Sequence, residues 1–115
     1  MLYNLSVMES IGDNDPIFIN TLVYVFIESI PADLENLNNA SRDHDWTQVS
    51  FMAHKIKSTI DNLGIDSLKE IIRLLEANSI INSLSVDDLF CYVNEVNDVM
   101  CEVVSEMLEN YPEVL

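Results

Sequence analysis

Two glycines and three prolines in 115 residues leave little material for tight turns. A sandwich or barrel needs a turn every few residues, so this scarcity excludes both and leaves a few long elements, which means helices. Cations are also scarce. Five Lys and Arg stand against 20 Asp and Glu, a formal net charge of −15. Nucleic-acid binding rests on cations meeting phosphates, and an anionic membrane surface also attracts cations. Neither is an expected partner. The only cysteines, Cys91 and Cys101, fall on one predicted helix. There a rise of about 1.5 Å per residue separates them by roughly 15 Å, beyond the about 7 Å Cα limit for a disulfide. They read as two small buried hydrophobes. The N-terminus lacks the basic start and apolar run of a signal peptide. The longest apolar run, "TLVYVFI", is bounded by Asn20 and Glu28, far short of the about 20 residues of a membrane span. A cytoplasmic location is expected.

What is present is 49% apolar residues, arranged at helical spacing. A short first helix is expected over Leu2–Glu9, ending near Gly12. Asp15 is a plausible N-cap for a second helix, with Pro16 in its first position. Ile19, Leu22, Val23, Phe26, Ile30, Leu34 and Leu37 carry the apolar period to about Ala40, and Pro31 is expected to kink or split this helix. Asp45 would cap a third helix, Trp46 to about Leu63, which Gly64 ends. A fourth opens at Ile65 or Asp66 and runs to about Ala77, with Leu68, Ile71, Ile72, Leu74 and Leu75 inward. "NSIINSLS" reads as a loop. Ser85 caps a fifth helix, to about Asn110. There Val86, Leu89, Val93, Val96, Met100, Val103 and Met107 form a bundle seam opposite a solvated acidic face. The fold class is all-α: an antiparallel four-helix bundle with a short additional N-terminal helix, one domain over residues 1–115.

The stretch "FMAHKIKSTIDNLG", Phe51 to Gly64, holds one of two histidines. On a wheel of about 100° per residue, Met52, Ala53, Ile56, Ile60 and Leu63 lie within roughly 60° of Val49 and form the buried stripe. His54 lies at about 140°, outside the stripe, among Thr47, Ser50, Lys57, Ser58 and Asp61. A structural histidine would sit on the stripe or cap an element, and His54 does neither. Four of the five cations, Lys55, Lys57, Lys69 and Arg73, lie within this stretch or just after it. Lys57, three residues on, shares a face with His54 and offers a counter-charge to an anion on the ring. Ser58 is small and leaves the ring room. A neutral imidazole is a usable nucleophile near neutral pH. Asp61 can at most orient it. No Ser-His-Asp arrangement with an oxyanion hole, HExxH, P-loop or Gly-rich loop accompanies it. No His or Cys lies at metal-ligand spacing. His44, in "RDHDW", reads as a loop residue or local hydrogen-bond partner.

"AHKIKSTIDNLG" resembles the signature of histidine-containing phosphotransfer (HPt) domains, approximately A-H-x-L-K-[GS]-x-x-x-x-[LF]-G. Ala53, His54, Lys57, Ser58, Leu63 and Gly64 match, and Ile56 stands for the leucine. "DPIFINTLVYVFIESIPADLENLNNA" is similar to the family's preceding helix and "LKEIIRLLE" to the following one. The resemblance implies that His54 is the phosphoacceptor, that Lys57 holds phosphoryl oxygens and that Ser58 provides clearance. It implies a phosphocarrier without a catalytic machine or cofactor of its own, in exchange with receiver-domain aspartates and hybrid histidine kinases. The receiver would bring the Mg²⁺. Serine replaces the more common glycine at Ser58. The basic residue that some members carry after the fourth helix is missing from "NSIINS", and neither Lys69 nor Arg73 is assigned its role.

A partner must reach His54, and apolar residues off the core stripe are candidate contacts. Phe51, at about 200° on the wheel and one turn before His54, is one. Lys55 lies beside it. Ile17 and Tyr24 on the second helix either join the patch or pack on the first helix. A monomer is expected. The rival reading is a helical interaction module that binds a receiver or kinase without carrying phosphate.

Overall fold

Three of the helices start where a side-chain oxygen takes an orphan N–H. In the computed structural model, which describes residues 1–81 and 84–112, Asp15 accepts from Ile17 N at 3.0 Å, Asp45 from Gln48 N at 3.2 Å and Ser85 from Asp88 N at 3.1 Å. The elements are α1 (Ser6–Ile11), α2 (Pro16–Arg42), α3 (Trp46–Asn62), a 3₁₀ turn (Asp66–Leu68), α4 (Lys69–Ile81) and α5 (Val86–Asn110). No strand occurs among the described residues. Helices α2 to α5 each pack on the next, and α2 packs on α5, closing the ring of a four-helix bundle.

The predicted stripes supply the core. Val49, Met52, Ala53, Ile56, Ile60 and Leu63 are buried, as are Leu89, Val93, Val96, Met100, Val103 and Met107 on α5. Each such side chain contributes about 1.5–3 kcal/mol of transfer free energy. Val86, expected in the α5 seam, is exposed in the helix's first turn, and Cys91 and Cys101, expected to be buried, are exposed free thiols on the outer face of α5. On α2, Leu22 and Phe26 are only partly covered, as are Ile71 and Leu74 on α4.

Pro31 neither splits nor ends α2, which runs as one helix. It sits at an exposed position on the outer side of the helix, where its ring displaces no core side chain. Burial of Ile30, Leu34 and Leu37 around it offsets the about 3 kcal/mol that proline costs in a helix interior. By length and composition α2 could cross a membrane, which its longest unbroken run does not suggest; here it packs on α3 and α5.

Helix α4 extends past Ala77 into the predicted loop, to Ile81. Asn78 Nδ2 donates to Leu74 O at 2.7 Å and the buried Ser79 hydroxyl to Leu75 O. These side chains satisfy the helix instead of breaking it. Of that predicted loop, Asn82 and Ser83 lie outside the described residues.

Helix α1 is later and shorter than expected, because the backbone before it is used elsewhere. Asn4 N donates to Leu63 O at 2.8 Å, and Leu2 N to Glu106 Oε1 at 3.0 Å. Gly64 makes this closure possible: its φ is +59°, and a Cβ there would lie 2.7 Å from the Asn4 carbonyl oxygen.

Candidate functional site

Helices α3 and α4 form an antiparallel hairpin through Gly64, so residues at equal distances from the turn face one another. Along the seam, α3 presents Ser50, His54, Lys57 and Asp61, spaced four, three and four residues apart on one face. Helix α4 answers with Glu76 and Arg73. Arg73 Nη2 pairs with Asp61 Oδ2 at 3.1 Å. Glu76 receives three bonds. His54 Nδ1 lies 3.2 Å from Oε2, Lys57 Nζ donates to Oε1 at 3.1 Å, and the Ser50 hydroxyl donates to the Glu76 main-chain oxygen at 2.9 Å.

This arrangement fixes which ring nitrogen is free. An ionised carboxylate only accepts, so Nδ1 must carry the proton it shares with Glu76. In a neutral imidazole the lone pair is then on Nε2. The His54 side chain is 69% exposed, so the edge of the ring that does not face Glu76 is open to solvent. Positive charge that develops on the ring as Nε2 attacks an electrophile falls beside the Glu76 carboxylate, which stabilises it. Ser58, also exposed, places no bulk one turn beyond the ring.

Glu76 is the residue that reading the sequence missed. The available signal was its position: it closes "LKEIIRLLE" on the polar side of α4, about as far from Gly64 as His54 is. Asp61, the expected orienting group, is engaged by Arg73. Nor do Lys69 and Arg73 supply a second contact for an anion at His54. Lys69 pairs with Asp66 at 2.9 Å, and Arg73 binds Asp61 and the Lys69 carbonyl.

Lys55 turns to the other side of α3, where its Nζ meets the buried Asp33 at 2.7 Å. That pair ties α3 to α2 at the surface. Tyr24 and Ile17 are exposed, but they precede Asp33 by nine and sixteen residues, about 14 and 24 Å along the helix at about 1.5 Å per residue. The structure therefore does not bring them to His54. Phe51 is beside it and 63% exposed. Ile80, also exposed, lies one turn beyond Glu76 as Phe51 lies one turn before His54. The antiparallel hairpin puts both at the same end of the seam. His44, with φ of +55°, is a packing residue more than a loop ornament: its ring lies 5.6 Å from Trp46 and 5.5 Å from Phe90, joining the α2–α3 turn to α5.

A family model for the Hpt domain matches residues 21–110, from the first turns of α2 to the end of α5. The chain belongs to the Hpt domain family. No curated protein and no solved structure matches it significantly. Hpt domains are helical bundles that serve histidine phosphotransfer in phosphorelays, and they are phosphocarriers without independent catalysis. Their family role implies interaction with receiver domains and kinases. The match spans all four bundle helices and the whole α3/α4 seam; α1 and the N-terminal segment precede it.

Proposed function

We propose that this Hpt domain is a phosphocarrier that accepts a phosphoryl group on His54 Nε2 and returns it to a receiver-domain aspartate. In the loading step the Nε2 lone pair attacks the phosphorus of a receiver's aspartyl phosphate. The N–P bond forms, the acyl O–P bond breaks, and the aspartate leaves as a carboxylate. The ring becomes a cation, its Nδ1 proton still directed at Glu76. Unloading is the reverse. The observation that carries this reading is the pairing of an exposed Nε2 with an Nδ1 tied to a carboxylate.

Lys57 sits one turn from the ring and would exchange its Glu76 contact for the incoming phosphoryl oxygens. Ser58 keeps the approach clear. The receiver supplies Mg²⁺ and the electrostatic stabilisation of the transferring group, so the domain needs no cofactor of its own. The partner, a receiver or a hybrid histidine kinase, lands on Phe51 and Ile80. Any body that brings an atom in line with Nε2 and covers about 800 Å² per side also covers residues one turn away. Lys55, next in sequence to His54, lies within that footprint, Tyr24 at its margin and Ile17 farther out. Residues 1–115 act as one monomeric unit in the cytoplasm.

The test is incubation with a phosphorylated receiver or a cognate hybrid kinase. An acid-labile, alkali-stable label that vanishes in His54→Gln is expected. No label on the wild type, across several receivers, would sink the reading.

A further inference from the structure

We infer that Ser50 is a positioning residue for the phosphoacceptor: through the Glu76 main chain, it sets where the Glu76 carboxylate stands and so which nitrogen of His54 is nucleophilic. The inference rests on the phosphocarrier reading for its functional meaning, although the geometry it describes does not depend on that reading.

Glu76 is one residue with two demands on it. Its Oε1 and Oε2 must reach Lys57 and His54 at once, at 3.1 and 3.2 Å. A slide or rotation of α4 too large for both side chains to follow would break one bond to keep the other. The His54 and Lys57 contacts do little to prevent it, because both side chains are flexible and reach α4 only through the Glu76 side chain. The Arg73–Asp61 pair lies one turn away and is largely open to water, where an ion pair holds little. Ser50 is different. It is buried, 9% exposed, and its short side chain has one rotatable bond to the hydroxyl carbon. Its hydroxyl is bonded to the backbone of Glu76 itself at 2.9 Å. A carbonyl oxygen has two lone pairs, so this bond adds to the helical one. Among the described α3–α4 hydrogen bonds, it alone ends on main chain. Apolar packing of α4 on α3 holds the helix; the short spacer and the shielded bond add a fixed point at Glu76 itself, the residue whose carboxylate must meet two partners.

The experiment uses the full chain labelled with ¹⁵N. Long-range ¹H–¹⁵N correlation of the imidazoles, at mildly alkaline pH where an ordinary ring is neutral, reports which nitrogen of His54 carries the proton. His44 is the internal reference in the same spectrum. The wild type is expected to show the Nδ1–H tautomer in excess, and Glu76→Gln to lose that excess. Ser50→Ala, which leaves the helical bond of the Glu76 carbonyl in place and so allows folding, is expected to lower the Nδ1–H to Nε2–H ratio by up to about fivefold, the full value of one buried hydrogen bond. Ser50→Cys, with a weaker donor of similar shape, should fall between, and His44 should not move. A wild-type ratio in Ser50→Ala overturns the inference. So does a wild-type ratio in Glu76→Gln, since Ser50 acts through that carboxylate. No phosphate is involved, so a chain that failed to load would refute the carrier reading and leave this result standing.

Discussion

Glu76→Gln should slow phosphoryl loading of His54 without weakening receiver binding. The amide keeps the shape of the carboxylate but loses its charge, and it can present either an acceptor or a donor to Nδ1. Two contributions to the reaction are lost together: the preference for the reactive tautomer and the stabilisation of the imidazolium that forms on attack. A hydrogen bond to a charged group contributes about 1.5–3 kcal/mol, and the exposure of the His54 ring puts this one at the low end. About 1.4 kcal/mol is a tenfold change in rate. A second effect opposes it. Lys57 loses the anion it now holds at 3.1 Å and becomes free for the phosphoryl group. A partly exposed ion pair is worth up to about 1 kcal/mol, so the net loss in Glu76→Gln alone is between about twofold and tenfold. The two contributions separate in a double-mutant cycle with Lys57→Ala. In the Lys57→Ala background the compensation is gone, and adding Glu76→Gln should cost the full tenfold or so. The assay is the single-turnover rate of label transfer from a phosphorylated receiver, and back to an unphosphorylated one, across receiver concentrations. Because the loaded ring is itself an imidazolium facing Glu76, the variant destabilises the loaded state as well as the transition state, so loading should slow more than unloading. Equal rates for Lys57→Ala and Lys57→Ala/Glu76→Gln would refute the reasoning, as would a change confined to the concentration dependence.

Other outcomes follow from the same geometry. Phe51→Ala and Ile80→Ala should each raise the receiver concentration needed for half-maximal transfer. Both residues are exposed, so thermal unfolding should stay within about 0.5 kcal/mol of wild type; an unchanged transfer rate at limiting receiver would count against the docking patch. Tyr24→Ala and Ile17→Ala should leave transfer unchanged, and slowed transfer in either would show a footprint longer than the seam. Gly64→Ala should destabilise the fold by on the order of 1–3 kcal/mol, from its left-handed φ and the clash with Asn4, read as a lower denaturation midpoint. Leu75→Ala, fully buried in α4, should cost about 2–5 kcal/mol by the same measurement.

Most of the bundle is legible in the sequence because its signals are local. Asp15, Asp45 and Ser85 cap where a short polar side chain precedes an apolar period, and the α3 and α5 stripes follow from 3.6-residue spacing. The errors fall where tertiary context overrides a local rule. Pro31 breaks helices in isolation, but here the same helix buries Ile30 and Leu34 on either side of it. Asn78 and Ser79 suggest a loop until their side chains bond back to the carbonyls of their own helix. The first five residues look helical, yet the bundle end uses their N–H groups.

The site divides along the same line. His54, Lys57 and Ser58 lie on one helix, so a wheel places them relative to one another and to the core. Glu76 is on another helix, and no single-helix periodicity can say what an outward face will meet. What the wheel could not show is that Lys57, expected as a counter-charge to an anion on the ring, already has a partner in Glu76, as Lys55, Lys69 and Arg73 have partners of their own. The site is thus internally neutralised, and on the carrier role proposed above a phosphoryl group arriving at His54 would compete with Glu76 for Lys57. Lys57 with no rival would make the phosphohistidine a sink. With Glu76 ready to take the lysine back, the loaded state would be held loosely enough to be passed on.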